Sequence, residues 1–142
     1  MSDRGSLLPM VAGLVALCGV AVVGIIDSTD LALARTSLQS TADMAALVGA
    51  ESFDPLTAQF DGTSLAVRLV NRQVWRAVSA FVSESSDGIR LVTASTPDSV
   101  TARVTVRSTW SPPLVSQFFP VRIQLEATGS ARPNIGALSD EG

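Results

Sequence analysis

Any chemistry in this chain has to come from carboxylates, guanidinium groups, hydroxyls and one thiol, because the sequence contains neither histidine nor tyrosine. That composition removes the commonest general base, the commonest metal ligand and every triad that works through an imidazole. The acids Asp27, Asp30, Asp43, Glu51, Asp54, Asp61, Glu84, Asp87 and Asp98 are scattered along the chain. Most fall beside expected helix ends and turns, where capping and the helix dipole account for them. No Gly-rich phosphate loop occurs, so no catalytic constellation, cofactor, metal or small-molecule substrate is expected. The lone thiol, Cys18, sits inside an apolar run and has no partner for an intramolecular disulfide. It reads as a small apolar filler, with lipidation as the remote alternative.

The remaining candidates are groups that could hold a partner rather than transform one. Arg68, Arg72 and Arg76 recur at four-residue intervals. On a helix they form a row that could meet an acidic partner or phospholipid headgroups, or simply a solvated face. Asp27 closes an apolar run, where it either neutralises a partner's cation or marks the point at which lipid ends. Asp43 lies beside an apolar stripe and is a candidate for a specific contact, with Arg35 or with a neighbouring subunit's arginines. The net charge of −3 is spread without a basic run, which argues against nucleic acid as a partner.

These groups have to be positioned by a small number of elements. Leu7 to Ile26, LLPMVAGLVALCGVAVVGII, is twenty residues without a charge. A helix of that length reaches roughly 30 Å, the thickness of a bilayer's hydrocarbon core. Its eleven Leu, Val and Ile residues favour insertion by about 0.3 to 0.6 kcal/mol each. A cleaved signal peptide would have a shorter apolar core and a small-x-small site after it, and a soluble helix apolar on every side would need a larger protein around it. A retained single-pass anchor is therefore expected. Arg4 precedes the span, and the next cation, Arg35, follows Asp27 and Asp30, so the positive-inside rule places the amino terminus in the cytoplasm and residues 27–142 outside. Within the span Ala12, Ala16 and Gly19 stack small side chains on one face, either as a genuine helix-packing surface or as background composition.

Beyond the span no proline intervenes before Pro55, and Leu31, Ala34, Leu38, Ala42, Ala45 and Val48 recur at helical spacing. The helix is expected to continue through residues 27–50 with one apolar face, for a partner or for its own domain. A 142-residue chain suits such an anchor plus one small domain, here residues 51–132. A second helix is expected from Thr63 to Ser83, after the turn residues Asp61 and Gly62, with Val67, Val70, Val74, Val78 and Phe81 on its apolar face. Trp75 could anchor at an interface or cover the core. From Ile89 the period becomes two. Ile89 to Ala94, then Val100, Ala102, Val104 and Val106, then Val121, Ile123, Leu125 and Ala127 read as half-buried strands of an antiparallel sheet covered on one side. Between the last two, LVSQFF is expected to make a single turn that packs Phe118 and Phe119 inward. Residues 1–6 form a polar lead and 133–142 a disordered tail.

The fold class implied is α+β: a long amino-terminal helix, transmembrane then amphipathic, and a second helix packed on a small antiparallel sheet. That arrangement resembles type IV pilins and pseudopilins. The local residues are similar to the amino-terminal signature of Tad (tight adherence, Flp pilus) assembly proteins of the TadG and TadE type. An RG pair, Arg4-Gly5, opens the helix, Asp27 closes the span, and Leu38, Gln39, Ala42, Asp43, Ala45, Ala46 and Leu47 match the LQ-x-x-A-D-x-A-A-L segment. The closing ATGSARP is also similar to the carboxyl end of such proteins. The resemblance implies a minor pilin-like, pseudopilin subunit of a Tad-type pilus or related secretion machine in the bacterial cytoplasmic membrane. Its partners would be the bilayer, other pilin-like subunits and the assembly platform. Pseudopilins are processed after a glycine and carry glutamate as the fifth mature residue; counted from Gly5, that place holds Met10. Gly5 and Ser6 are thus an atypical processing site, and an uncleaved, TadG-like anchor is expected. The alternative is a free-standing single-pass membrane-anchored binding or adhesion domain.

Overall fold

A computed structural model describes residues 4–52, 59–60, 65–66, 68–85 and 88–133 of the chain. The fold is α+β, with a long first helix, a second helix and a three-stranded antiparallel sheet. The first helix, α1, runs unbroken over Arg4–Glu51. Pro9 is its one internal proline, early enough that the missing N–H falls near the unsatisfied first turn. It ends at Glu51, four residues before Pro55 in the sequence.

Two compact units divide the chain: Met1–Ala34 with Trp110–Ile123, and Arg35–Thr109 with Gln124–Gly142. The second unit holds the sheet. A two-stranded antiparallel pair, β1 (Gln59–Phe60) and β2 (Leu65–Ala66), precedes the second helix, α2, at Asn71–Ser85. Strands β3 (Ile89–Ser95), β4 (Ala102–Trp110) and β5 (Ile123–Ala131) follow, in the spatial order β3-β4-β5. Gly88, at φ 99°, makes the entry into β3 in a conformation that a side chain would strain. Arg90 pairs with Arg107 and Ala94 with Val104, and the register shifts between Leu91 and Thr93, so a bulge at Val92 adds one residue to β3.

Alternation decides which face of the sheet is covered. Ala102, Val104 and Val106 on β4 and Leu125, Ala127 and Gly129 on β5 are buried, while their neighbours are mostly exposed. The cover is helical: Leu38, Ala42, Ala45, Ala46 and Ala50 of α1 and Val74, Val78 and Val82 of α2 are buried with them. This core is built of alanine and valine, and small side chains let backbones approach closely. A Cβ at Gly129 would overlap the backbone of Ala42 and lie 2.7 Å from the Asp43 nitrogen. A Cβ at Gly49 would lie 3.1 Å from Val74 and Val78 methyls and 3.3 Å from Ala102. Only glycine fits where β5 meets α1.

Three expectations are corrected. The second helix begins at Asn71 rather than Thr63, and Leu65–Ala66 is strand instead. The cause is non-local: the Leu69 N–H donates to the Ser99 carbonyl at 2.8 Å, so it is unavailable to a helix passing through that point. Leu69 is also the buried residue there, whereas Val70 is half exposed. Val100 lies outside β4 and is exposed. Phe118 and Phe119 follow a short 3-10 turn over Val115–Gln117, but they are 80% and 66% exposed instead of inward. The expected caps Asp61 and Gly62 and the tail beyond Pro133 lie outside the described residues.

The turn that takes the Leu69 N–H is itself fixed by Asp98. Asp98 Oδ1 accepts from the backbone N–H groups of Val100 and Thr101 at 3.0 and 2.6 Å, and Oδ2 accepts from the Thr101 hydroxyl at 2.8 Å. The Thr101 backbone bond, then its hydroxyl, then the Val100 bond favour the charged form, taking the carboxyl from 3.8 down to about 2. A depressed pKa contributes stability above the ordinary value that is lost as pH falls through the folded one. Asp98→Asn is therefore expected to show a shallower fall of thermal stability between pH 4 and pH 2 than the parent, measured by circular dichroism melts. At the α1–β5 approach, Gly129→Ala is expected to destabilise by about 1 to 3 kcal/mol in chemical denaturation, as overpacking against backbone does.

Candidate functional site

The unit formed by residues 1–34 and 110–123 contains the apolar stretch and the chain segment held against its end. From Leu7 to Ile26 every side chain is exposed except Val23, which is half-buried. The helix is long and apolar enough to cross a membrane, and the window that qualifies is not covered by the chain itself. Ala12, Ala16 and Gly19 are exposed, and a Cβ at Gly19 would meet nothing. That face is free for lipid or for another helix. Cys18 is a free, exposed thiol in the same stretch.

Where the apolar run stops, the helix turns its polar groups inward. Ser28 and Thr29 hydroxyls both donate to the Ile25 carbonyl at 2.9 Å, which satisfies them without water. Asp27 is 8% exposed, and its Oδ1 accepts the backbone N–H of Leu114 at 3.2 Å. One turn further on, Asp30 Oδ2 accepts the indole N–H of Trp110 at 2.7 Å. Asp27 and Asp30 stand three apart on one face, so the two carboxylates clamp the segment WSPPL to the helix. Val23, Asp27, Asp30, Leu31 and Ala34 are the shielded positions of this part of α1, and their spacing is one helical face. Asp27 Oδ2 is buried and has no hydrogen-bond partner among the described residues, a costly state for a carboxylate oxygen.

The other candidates lie in the second unit. Leu38, Ala42 and Ala45 are fully covered, so the apolar face of this stretch of α1 serves its own sheet. Asp43 meets Gln39, not Arg35: Gln39 Nε2 donates to Asp43 Oδ1 at 3.0 Å and to the Thr128 carbonyl at 3.1 Å. The pair thus ties the LQ-x-x-A-D segment to β5. Arg72 and Arg76 are exposed on α2, while Arg68 precedes the helix, so the expected row of three is a row of two. The ion pairs found among the described residues are Arg107–Glu126 at 2.9 Å and Arg132–Asp98 at 4.0 Å, both on the surface. Gly5 and Ser6 lie within α1. Beside Gln39, a groove bounded by Arg35, Thr36, Asp43, Gln124 and Glu126 runs along β5.

The sequence signalled Asp27 as a boundary but gave no sign that it and Asp30 engage Trp110 and Leu114, more than seventy residues later. An acid at i and i+3 just past an apolar span, with a Trp in a proline-rich break, is the only available hint. If the clamp holds the segment, Asp27→Ala and Trp110→Phe should each speed amide exchange at Leu114 by about tenfold, the loss of roughly one hydrogen bond. Exchange at Val104, deep in the sheet, is the internal reference.

Set against models of known families, characterised proteins and solved structures, the chain matches none.

Proposed function

We propose that this chain is a minor pilin-like subunit of a Tad-type pilus or related secretion machine. It is held in the bacterial cytoplasmic membrane by residues 7–26, with the amino terminus inside and the α+β domain outside. The observation that carries the reading is the division of labour along α1. Residues 7–26 are apolar and uncovered, whereas Leu38, Ala42, Ala45 and Ala46 are buried under a small antiparallel sheet. A helix built this way has one part for lipid and lateral packing and another that serves its own domain. The family-like segment supports the same reading, because Gln39, Ala42 and Asp43 are the residues that fasten α1 to β5.

Association is the mechanism. The small face at Ala12, Ala16 and Gly19 lets a neighbouring helix approach within the bilayer, where close packing replaces the hydrophobic effect as the driving force. Arg72 and Arg76 offer cations to an acidic subunit surface.

Extraction in mild detergent should bring down pilus-platform proteins with the full chain. Ala16→Leu together with Gly19→Ile should reduce that recovery severalfold without altering the domain's thermal transition, as blocking a small-residue interface does. A parent chain that runs alone and monomeric overturns the assembly role in favour of a free-standing membrane-anchored binding domain. Mass spectrometry of the mature chain is expected to find the segment before Gly5 retained, since Met10 stands where a processed pseudopilin carries glutamate.

A further inference from the structure

We infer that residues 110–123 form a second membrane contact, which lays Phe118 and Phe119 into the headgroup and upper acyl region of the bilayer that α1 crosses. The inference rests on the reading of residues 7–26 as a membrane span and goes beyond it. The path of the segment carries the argument. Trp110 is bonded to Asp30 and Leu114 to Asp27, so four residues of loop travel one turn down the helix, towards the apolar run. The next shielded position on that face is Val23, four residues deeper and half-buried among exposed neighbours. Continuation of the loop past Asp27, alongside the adjoining turn of α1, accounts for that shielding.

At that level the segment presents apolar groups rather than hiding them. Phe118 is 80% and Phe119 66% exposed, with Val121 at 37% and Ile123 at 38%. Two adjacent, largely exposed phenylalanines are unusual on a surface facing water. Their N–H groups are already satisfied locally: those of Phe118 and Phe119 both donate to the Val115 carbonyl, at 3.0 and 2.9 Å, and the Val121 N–H donates to the Phe119 carbonyl at 2.8 Å. Backbone satisfied in this way can enter a poorly hydrated region at low cost. The segment contains no acid, and its one charge, Arg122, is exposed beside the aromatic pair, where its guanidinium can reach lipid phosphates while the stem lies along the apolar surface. The exposed apolar surface of the loop and that of the span belong to one compact unit, so a bilayer that receives the second is placed to receive the first.

The test uses the full chain in phosphatidylcholine–phosphatidylglycerol vesicles with an environment-sensitive fluorophore on a single cysteine. Three chains are compared: the natural Cys18, and Phe119→Cys and Val121→Cys, each in a Cys18→Ala background. The expected result is that nitroxide placed high on the acyl chain quenches the probes at 119 and 121 about twofold or more over nitroxide placed deep, as for groups in the interfacial belt. The Cys18 probe should show the reverse preference. A quenched Cys18 probe with unquenched probes at 119 and 121 overturns the inference and leaves the anchor standing, giving the phenylalanines to a protein partner or to water. A Cys18 probe that neither nitroxide quenches overturns the anchor and the loop contact together.

Discussion

A helix that shows apolar side chains on every side has to be given an apolar solvent, and the rest of this protein follows from that requirement. Over residues 7–26 the chain leaves every side chain but Val23 exposed. In water the exposed leucines, valines and isoleucines would cost roughly 25 cal/mol for each Å² of apolar surface left wet. A bilayer removes that cost at once, and the backbone is compatible with it because an unbroken helix satisfies its own N–H and C=O groups. On the proposed reading, the exposed small residues Ala12, Ala16 and Gly19 are the face along which another helix would approach in lipid.

The point where the helix leaves its apolar run is where polar groups must be handled most carefully. Ser28 and Thr29 turn onto the Ile25 carbonyl, and Asp27 and Asp30 take donors from the 110–114 segment. These bonds satisfy the polar groups within the chain, and two of them use the segment that follows β4. The same loop then exposes a phenylalanine pair. In a soluble domain that would be an aggregation hazard; next to a membrane span it is a surface with a natural solvent.

Within the sheet-bearing unit the governing constraint is proximity. Gly129 admits the backbone of Ala42, Gly49 admits Val74 and Val78, and Gln39 bridges Asp43 to the Thr128 carbonyl. A core of alanine and valine gains less from burial per residue than one of leucine and phenylalanine. It compensates through close packing, in which a single added methyl is felt. The run from Leu38 to Leu47 is therefore the run that determines how α1 meets β5.

The sequence by itself determined the elements whose signals are local. Twenty uncharged residues mark a helix long and apolar enough to cross a membrane, and Val104, Val106, Leu125 and Ala127 define strand faces through a period of two. The buried stripe Leu38, Ala42, Ala45 was legible because helical spacing places those residues on one face, whatever covers them. Only the tertiary structure decided the rest. Helix α2 starts at Asn71 because the Leu69 N–H is taken by Ser99 from a distant turn. Asp43 chose Gln39 over Arg35 because β5 places the Thr128 carbonyl within reach of the same amide. Asp27 and Asp30 became a clamp because the fold returns Trp110 and Leu114 to them, and the phenylalanines faced outward because that clamp fixes the loop's path. A hydrogen bond between residues far apart in the chain leaves no periodicity behind it, so only the folded coordinates could reveal these contacts.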